Sequence, residues 1–222
     1  MPGLGPLWLS VKLGLISTAI LILLGTPLAF WLSRTRSHAK TFIEAMVALP
    51  IVLPPTVLGF YLLILLGPNG LVGSYWVKLT ESSLTFSFGG LVLASILYSM
   101  PFVIQPLQNA FESIGRGFVE AAETLGARPL DIFFTIILPL STRGFLTAAI
   151  MGFAHTLGEF GVVLMVGGNI PGQTRVISIA IYDHVEALEY AQAHVLSGLL
   201  LAFSFTCMFA LYFINGRLRH EN

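Results

Sequence analysis

Long apolar runs alternate with short polar connections along this chain, and that pattern leaves few folds open. A helix needs about 20 apolar residues to cross the hydrocarbon core of a bilayer. The sequence therefore predicts five membrane-spanning helices, at residues 11–32, 42–66, 88–110, 145–166 and 193–214. Because lipid cannot satisfy the backbone groups of irregular structure, we expect an all-α membrane helix bundle that forms one transmembrane domain over residues 1–222.

The balance of residue types agrees with this prediction. Hydrophobic residues make up 55% of the chain and charged residues only 10%, whereas a soluble domain has roughly 25% charged residues. The formal net charge of zero gives no basis for a nucleic-acid partner. Cys207 is the only cysteine and lies in an apolar run, so we expect no disulfide within the chain and no cysteine-based metal site.

Basic residues are distributed unevenly between the connections, which predicts an orientation. Lys and Arg are enriched in the cytoplasmic connections of membrane proteins. With residues 34–40 on the cytoplasmic side, eight of the eleven Lys and Arg fall on that side and three on the other. The sequence thus predicts that the N-terminus is outside and the C-terminus inside. Residues 112–143 then form a cytoplasmic loop.

The first half of this loop predicts a short helix with a defined end. Phe118, Ala122 and Leu125 recur at the spacing of one helical face. Gly126 follows them, where a residue in the left-handed conformation commonly ends a helix. We therefore expect Gly126 to have a positive φ.

The second half of the loop predicts another short helix. Pro129 suits its first turn, and Asp131 lies near its positive end. Its apolar stripe comprises Ile132, Phe133, Ile136 and Ile137. We expect Pro139 to end this helix.

The same stretch carries a spaced pattern: Glu-Ala-Ala, three residues, Gly, nine residues, then Ile-x-Leu-Pro. In this pattern the chain resembles the permease subunits of binding-protein-dependent ABC importers. The matching residues are Glu120, Ala121, Ala122, Gly126, Ile136, Leu138 and Pro139. In that family the loop docks into a groove of the ATPase subunit, so the resemblance implies that these residues couple the two subunits. The alternative is an ordinary helical hairpin between two spans.

The resemblance also implies which partners the chain has and that the chain is not itself an enzyme. It implies a homodimer of this subunit, two copies of a cytoplasmic ATPase and an external binding protein, all assembled at the bacterial inner membrane. The sequence contains no Gly-x4-Gly-Lys-Ser/Thr stretch of its own. We expect no catalytic residue, no cofactor and no bound metal in this chain.

Two features inside the predicted spans suggest a pore or gate. Pro54 and Pro55 interrupt the second span, and a proline frees a carbonyl that lipid cannot satisfy. Glu159 is the only acid deep in a span, and His155 precedes it by four residues. The alternatives are a packing kink at the prolines and a structural anchor at Glu159, bonded to a neighbouring helix.

Three segments narrow the family. Residues 49–55, 155–161 and 169–175 are similar to the branch that carries molybdate, which implies that the cargo is an oxyanion. Sulfate, thiosulfate or tungstate are the alternative cargoes, because permeases for such anions share a Gly-Glu-Phe-Gly stretch. An ion-coupled secondary transporter is the alternative of another class, but it would be expected to carry internal repeats and paired intramembrane carboxylates.

Overall fold

The computed structural model describes residues 4–220, and the regular elements in that range are helices. The predicted domain also includes residues 1–3 and 221–222, which lie outside the described residues. A π-helical turn at Phe133–Ile137 separates two of the helices. In chain order the helices are α1 (Gly5–Arg34), α2 (Ala39–Val52), α3 (Pro55–Leu66), α4 (Leu71–Thr80), α5 (Phe88–Ser113), α6 (Arg116–Thr124), α7 (Pro129–Ile132), α8 (Leu138–Leu140), α9 (Thr142–Gly158), α10 (Gly161–Gly167), α11 (Ile177–Glu186) and α12 (Tyr190–His220).

Within residues 4–220, three helices are long and apolar enough to cross a membrane without a break, namely α1, α5 and α12. They contain the first, third and fifth predicted spans. The chain folds as an all-α bundle, so the predicted fold class is confirmed.

The second predicted span, residues 42–66, is two helices rather than one. α2 and α3 meet at 114°. Leu53, between them, is extended with ψ 136, because a residue that precedes proline avoids the helical conformation. Pro50 lies inside α2 without ending it.

The fourth predicted span, residues 145–166, is also broken. α9 ends at Gly158, and α10 begins at Gly161. Glu159, between them, has an extended backbone with ψ 130. The carboxylate expected within one continuous helix therefore lies at a junction of two helices.

α5 is the central helix of the bundle. It packs against α1, α2, α9 and α10, while α12 packs against α9 and α11. The half-helices that follow the two breaks, α3 and α10, lie side by side. Gly161, the first residue of α10, approaches α3 so closely that an added Cβ would lie 2.8 Å from the Cβ of Pro55. The two breaks are therefore neighbours in the fold.

Candidate functional site

The first candidate site is the loop between α5 and α9, where α6 ends in a defined cap. Gly126 has φ +78, as predicted. The amide of Ala127 donates to the carbonyl of Ala122 at 3.1 Å, and the amide of Gly126 donates to that of Glu123 at 2.9 Å. This pair of bonds is the Schellman arrangement, which needs a left-handed residue such as glycine. The cap fixes the direction in which the chain leaves α6.

The helix in the second half of the loop ends at Leu140, one residue beyond the predicted Pro139. The chain stays helical from Pro129 to Leu140. In a regular helix the proline ring would clash with the carbonyl four residues before it. Here the helix widens into a π-helical turn, in which the amide of Leu138 donates to the carbonyl of Phe133. The wider turn accommodates Pro139, and after Leu140 the chain bends by 71° into α9.

The adjacent alanines of the motif have opposite environments. Ala122 is only 8% exposed and belongs to the hydrophobic cluster that contains Ile114 and Ile132. Ala121 and Glu120 are exposed. Ala122 thus packs within its own subunit.

The other motif residues also divide into two environments. Gly126 and Pro139 are exposed, whereas Ile136 and Leu138 are half-buried. The predicted stripe of the second helix is oriented inwards, since Ile132 and Ile137 are buried. These apolar residues hold the loop against the bundle.

Large apolar side chains of the loop nevertheless remain exposed. We define the loop surface as Phe118 (62% exposed), Ala121, Leu125 (87%), Leu130 (71%) and Phe134 (60%). Phe118, Ala121 and Leu125 share one face of α6 through their spacing of three and four residues. Exposed apolar patches of this kind mark interaction sites. The sequence pattern had assigned Phe118 and Leu125 to the same face as the buried Ala122.

The second candidate site is the break at Glu159. Its side chain is 3% exposed, and its Oε2 accepts a hydrogen bond from Ser95 of α5 at 2.7 Å. Its backbone carbonyl accepts from Ser178 of α11 at 2.5 Å. Oε1 has no hydrogen-bond partner among the described residues. Glu159 therefore ties the α9–α10 junction to two other helices, as the structural-anchor alternative predicts.

His155 contacts the same helix, α5. Its Nδ1 lies 2.9 Å from the hydroxyl of Ser99, and its ring stacks on Phe102 with centroids 3.8 Å apart. The ring of Tyr98 is also close, at 4.8 Å. The side-chain hydrogen bonds of His155 and Glu159 thus go to α5 rather than to each other.

A cavity of about 500 Å³ brings the predicted residues together, and we call it the break cavity. Pro55, His155 and Glu159 all line it, with Tyr98 of α5. Pro54 precedes α3 as its capping residue but is not among the lining residues. Three of the four predicted pore or gate residues therefore share one cavity.

The α5 residues of this site were missed from the sequence. Ser95, Ser99 and Phe102 recur at the spacing of one helical face within an apolar run. Hydroxyls on one face of a span commonly bond to a neighbouring helix. That spacing was the available signal.

At the opposite end of the bundle from the loop surface, the segment at residues 169–175 is held by a small polar network. The amide of Asn169 donates to the Asp183 carboxylate at 2.6 Å. Arg175 donates through Nε to the side-chain oxygen of Asn169 at 2.6 Å, and its guanidinium lies 3.5 Å from Asp183. The network fixes this loop against α11.

Comparisons with known proteins agree on one family. Residues 12–220 match the family described as "Binding-protein-dependent transport system inner membrane component". The chain is 59% identical over 204 residues to the molybdenum transport system permease protein ModB of Azotobacter vinelandii, covering 92% of this chain and 90% of that protein. It is 32% identical over 193 residues to the sulfate transport system permease protein CysT of Escherichia coli strain K12, covering 87% of this chain and 69% of that protein.

The fold is similar to that of a solved transporter. A chain of the MetNI methionine ABC transporter in an inward-facing conformation superposes with a TM-score of 0.72 at 18% identity. The match covers 94% of this chain and 92% of that chain. At this identity the likeness concerns the fold alone.

Proposed function

The chain belongs to the family of binding-protein-dependent transport system inner membrane components, and from that membership we propose that it is the permease subunit of an ABC importer for molybdate. The observation that carries the proposal is the 59% identity to a molybdenum permease over 92% of this chain. The subunit supplies the path across the inner membrane. The ATP-hydrolysing site belongs to a separate subunit.

The proposed assembly contains two copies of this chain, two copies of a cytoplasmic ATPase and one external oxyanion-binding protein. The loop surface supports ATPase docking, because it presents Phe118, Leu125 and Leu130 to solvent beside the exposed Glu120 and Ala121. The cap at Gly126 and the π-helical turn hold this surface in place. The proposed orientation has the N-terminus outside and the loop surface in the cytoplasm.

The path is proposed to pass the break cavity, between this subunit and its second copy. Pro55, His155 and Glu159 line that cavity beside the α2–α3 break and the α9–α10 break. Non-helical backbone within a membrane is tolerated where it is buried in protein or lines a water-filled cavity. Pro54 contributes by holding the α2–α3 break open, and His155 with Glu159 forms the gate region.

The test of this function is uptake of labelled molybdate by cells that lack other molybdate transporters. Deletion of this chain should abolish high-affinity uptake, and re-expression of the wild-type chain should restore it. The control is re-expression without the partner ATPase, which should restore nothing. Undiminished uptake after deletion would refute the proposal.

A second cargo is favoured by the 32% identity to a sulfate permease. Sulfate and tungstate are tetrahedral divalent oxyanions like molybdate, so each can be tested as a competitor of molybdate uptake. Excess tungstate should suppress molybdate uptake, whereas excess sulfate should leave it nearly unchanged. Suppression by sulfate at equal concentration would instead assign the chain to sulfate or thiosulfate transport.

A further inference from the structure

From Tyr98 onwards, α5 is buried around most of its circumference but leaves one narrow stripe uncovered. The stripe follows the helical spacing of four and three residues. Tyr98 and Phe102 are half-buried, and Gln105, Asn109 and Glu112 are exposed. The stripe is aromatic at the end near the break cavity and polar towards the end of α5 that leads into α6.

The depth of Gln105 argues against contact between its side chain and lipid. The 26 residues of α5 extend about 39 Å, which exceeds the hydrocarbon thickness of about 30 Å by about 9 Å. Gln105 lies eight residues before the end of the helix at Ser113, or about 12 Å along its axis. An amide at that depth must face protein or water.

A second cavity lies on this polar part, and we call it the amide cavity. It measures about 280 Å³ and is lined by Glu44, Val47, Gln105, Gln108 and Asn109, among others. Tyr98, on the same stripe, lines the break cavity. Phe102, stacked on His155, lies between these two sets of residues along the helix. One face of α5 thus connects both cavities.

The charged groups of the amide cavity already have partners. Gln108 donates to Glu44 at 2.6 Å and to Glu112 at 3.0 Å. Lys40 lies 3.6 Å from Glu44 and 3.2 Å from Glu112. By contrast, the side-chain amides of Gln105 and Asn109 make no hydrogen bond within residues 4–220. Two side-chain amides with unused N–H donors therefore line the cavity, while the nearby carboxylates of Glu44 and Glu112 are engaged.

We propose that Gln105 and Asn109 line the cytoplasmic half of the translocation path and donate hydrogen bonds to the oxyanion after it has passed His155. This inference rests on the proposed function and adds the residues that receive the anion. Neutral amides suit this step, because a path must bind an ion weakly enough to release it. The second copy of the chain covers the stripe and contributes the same two amides.

Cysteine accessibility tests the placement without using the cargo. In a Cys207→Ala background, Gln105→Cys and Asn109→Cys are assembled with the ATPase in membrane vesicles. A negatively charged, impermeant thiol reagent is then added to the cytoplasmic face. Both positions should react, because the path is wet. Leu93→Cys, exposed on another face of α5, and Phe209→Cys, exposed on α12, should not react.

Two outcomes of this labelling would overturn the inference. Absence of reaction at both positions would place them in lipid or in a dry contact. Efficient disulfide cross-linking between the two copies at position 105, without labelling, would identify a closed dimer contact instead of a path.

Transport of molybdate tests the contact with the anion. Gln105→Leu should lower the initial uptake rate roughly tenfold, the factor expected when a hydrogen bond to a charged group is lost. Gln105→Asn should recover part of the rate, and Leu93→Ala should be unaffected. ATP hydrolysis stimulated by the loaded binding protein should stay normal in all three variants, because the loop surface is intact. Uptake by Gln105→Leu equal to wild type would contradict the inference.

The proposed function fails separately from this inference. If the wild-type chain transports no molybdate although the complex assembles, the cargo assignment is wrong, whatever the labelling pattern. If the Cys207→Ala parent transports molybdate but positions 105 and 109 do not react, only the path assignment is wrong.

Discussion

Two adjacent alanines of α6 lie in different environments, one packed inside the subunit and the other on its surface. Ala122 is buried in its own subunit, and Ala121 is exposed on the loop surface. Their side chains are identical, so matched substitutions at the two positions separate folding from docking.

Tryptophan at each position should therefore give opposite results. Ala122→Trp overfills a packed cluster and should cost about 1–3 kcal/mol of stability, seen as a lower thermal midpoint of the purified subunit. Ala121→Trp should leave that midpoint unchanged but prevent co-purification with the ATPase and abolish transport. Normal ATPase association by Ala121→Trp would exclude α6 as the docking surface, and an unchanged midpoint for Ala122→Trp would contradict its burial.

The sequence could predict the helix and its cap but not this division. The requirement for a left-handed residue at Gly126 is local, so it can be read from the chain. The apolar spacing placed Phe118, Ala122 and Leu125 on one face, whereas the face that packs inwards includes Val119 and Ala122. Which side of a short helix faces its bundle depends on the neighbouring helices, and a pattern of so few residues does not determine it.

At the scale of the elements, the two interrupted spans depend on their contact with each other. Gly161 begins α10 directly against Pro55, while Gly158 at the end of α9 has open space around it. These two glycines lie three residues apart at the same junction and form a matched pair.

Gly161→Val should destabilise the subunit, because its Cβ would lie 2.8 Å from the Cβ of a rigid proline. The expected cost is about 1–3 kcal/mol, as for other overpacked sites. Gly158→Val should keep the thermal midpoint near that of wild type but reduce molybdate uptake by narrowing the break cavity. Equal midpoints for the two variants would show that the α3–α10 contact does not support the fold.

The two helix breaks differ in how well the sequence predicts them. Pro54 marks the first one through a local backbone restriction on Leu53. The second break has no proline to mark it in the sequence. There, Glu159 is extended and bonded to Ser95 and Ser178, which lie far away in the chain. Pro139 marks the end of its helix to within one residue, because a π-helical turn lets the helix extend to Leu140. Tertiary contacts determined the cases that periodicity could not.

For the whole molecule, the orientation in the membrane remains a prediction from the distribution of basic residues. In a Cys207→Ala background, single cysteines at the exposed Ser37 and Leu125 should react with an impermeant reagent only from the cytoplasmic side. Cysteines at the exposed Asn69 and Gln173 should react only from outside. Asn69 is chosen rather than its neighbour Gly70, because a Cβ added at Gly70 would collide with the carbonyls of α3. Labelling of position 125 from outside would reverse the topology and remove the docking proposal.

The short connection between α5 and α6 has a mechanical consequence. Only Ile114 and Gly115 separate the two helices, and Ile114 is anchored in the hydrophobic core. A force applied to α6 is therefore transmitted through a two-residue connection to the end of α5, a helix of 26 residues. α6, which would receive the force, and α5, which carries the uncovered stripe, are joined at the anchored Ile114. We therefore expect a tilt of α6 to move the adjoining end of α5, which carries Gln105 and Asn109 on either side of Pro106.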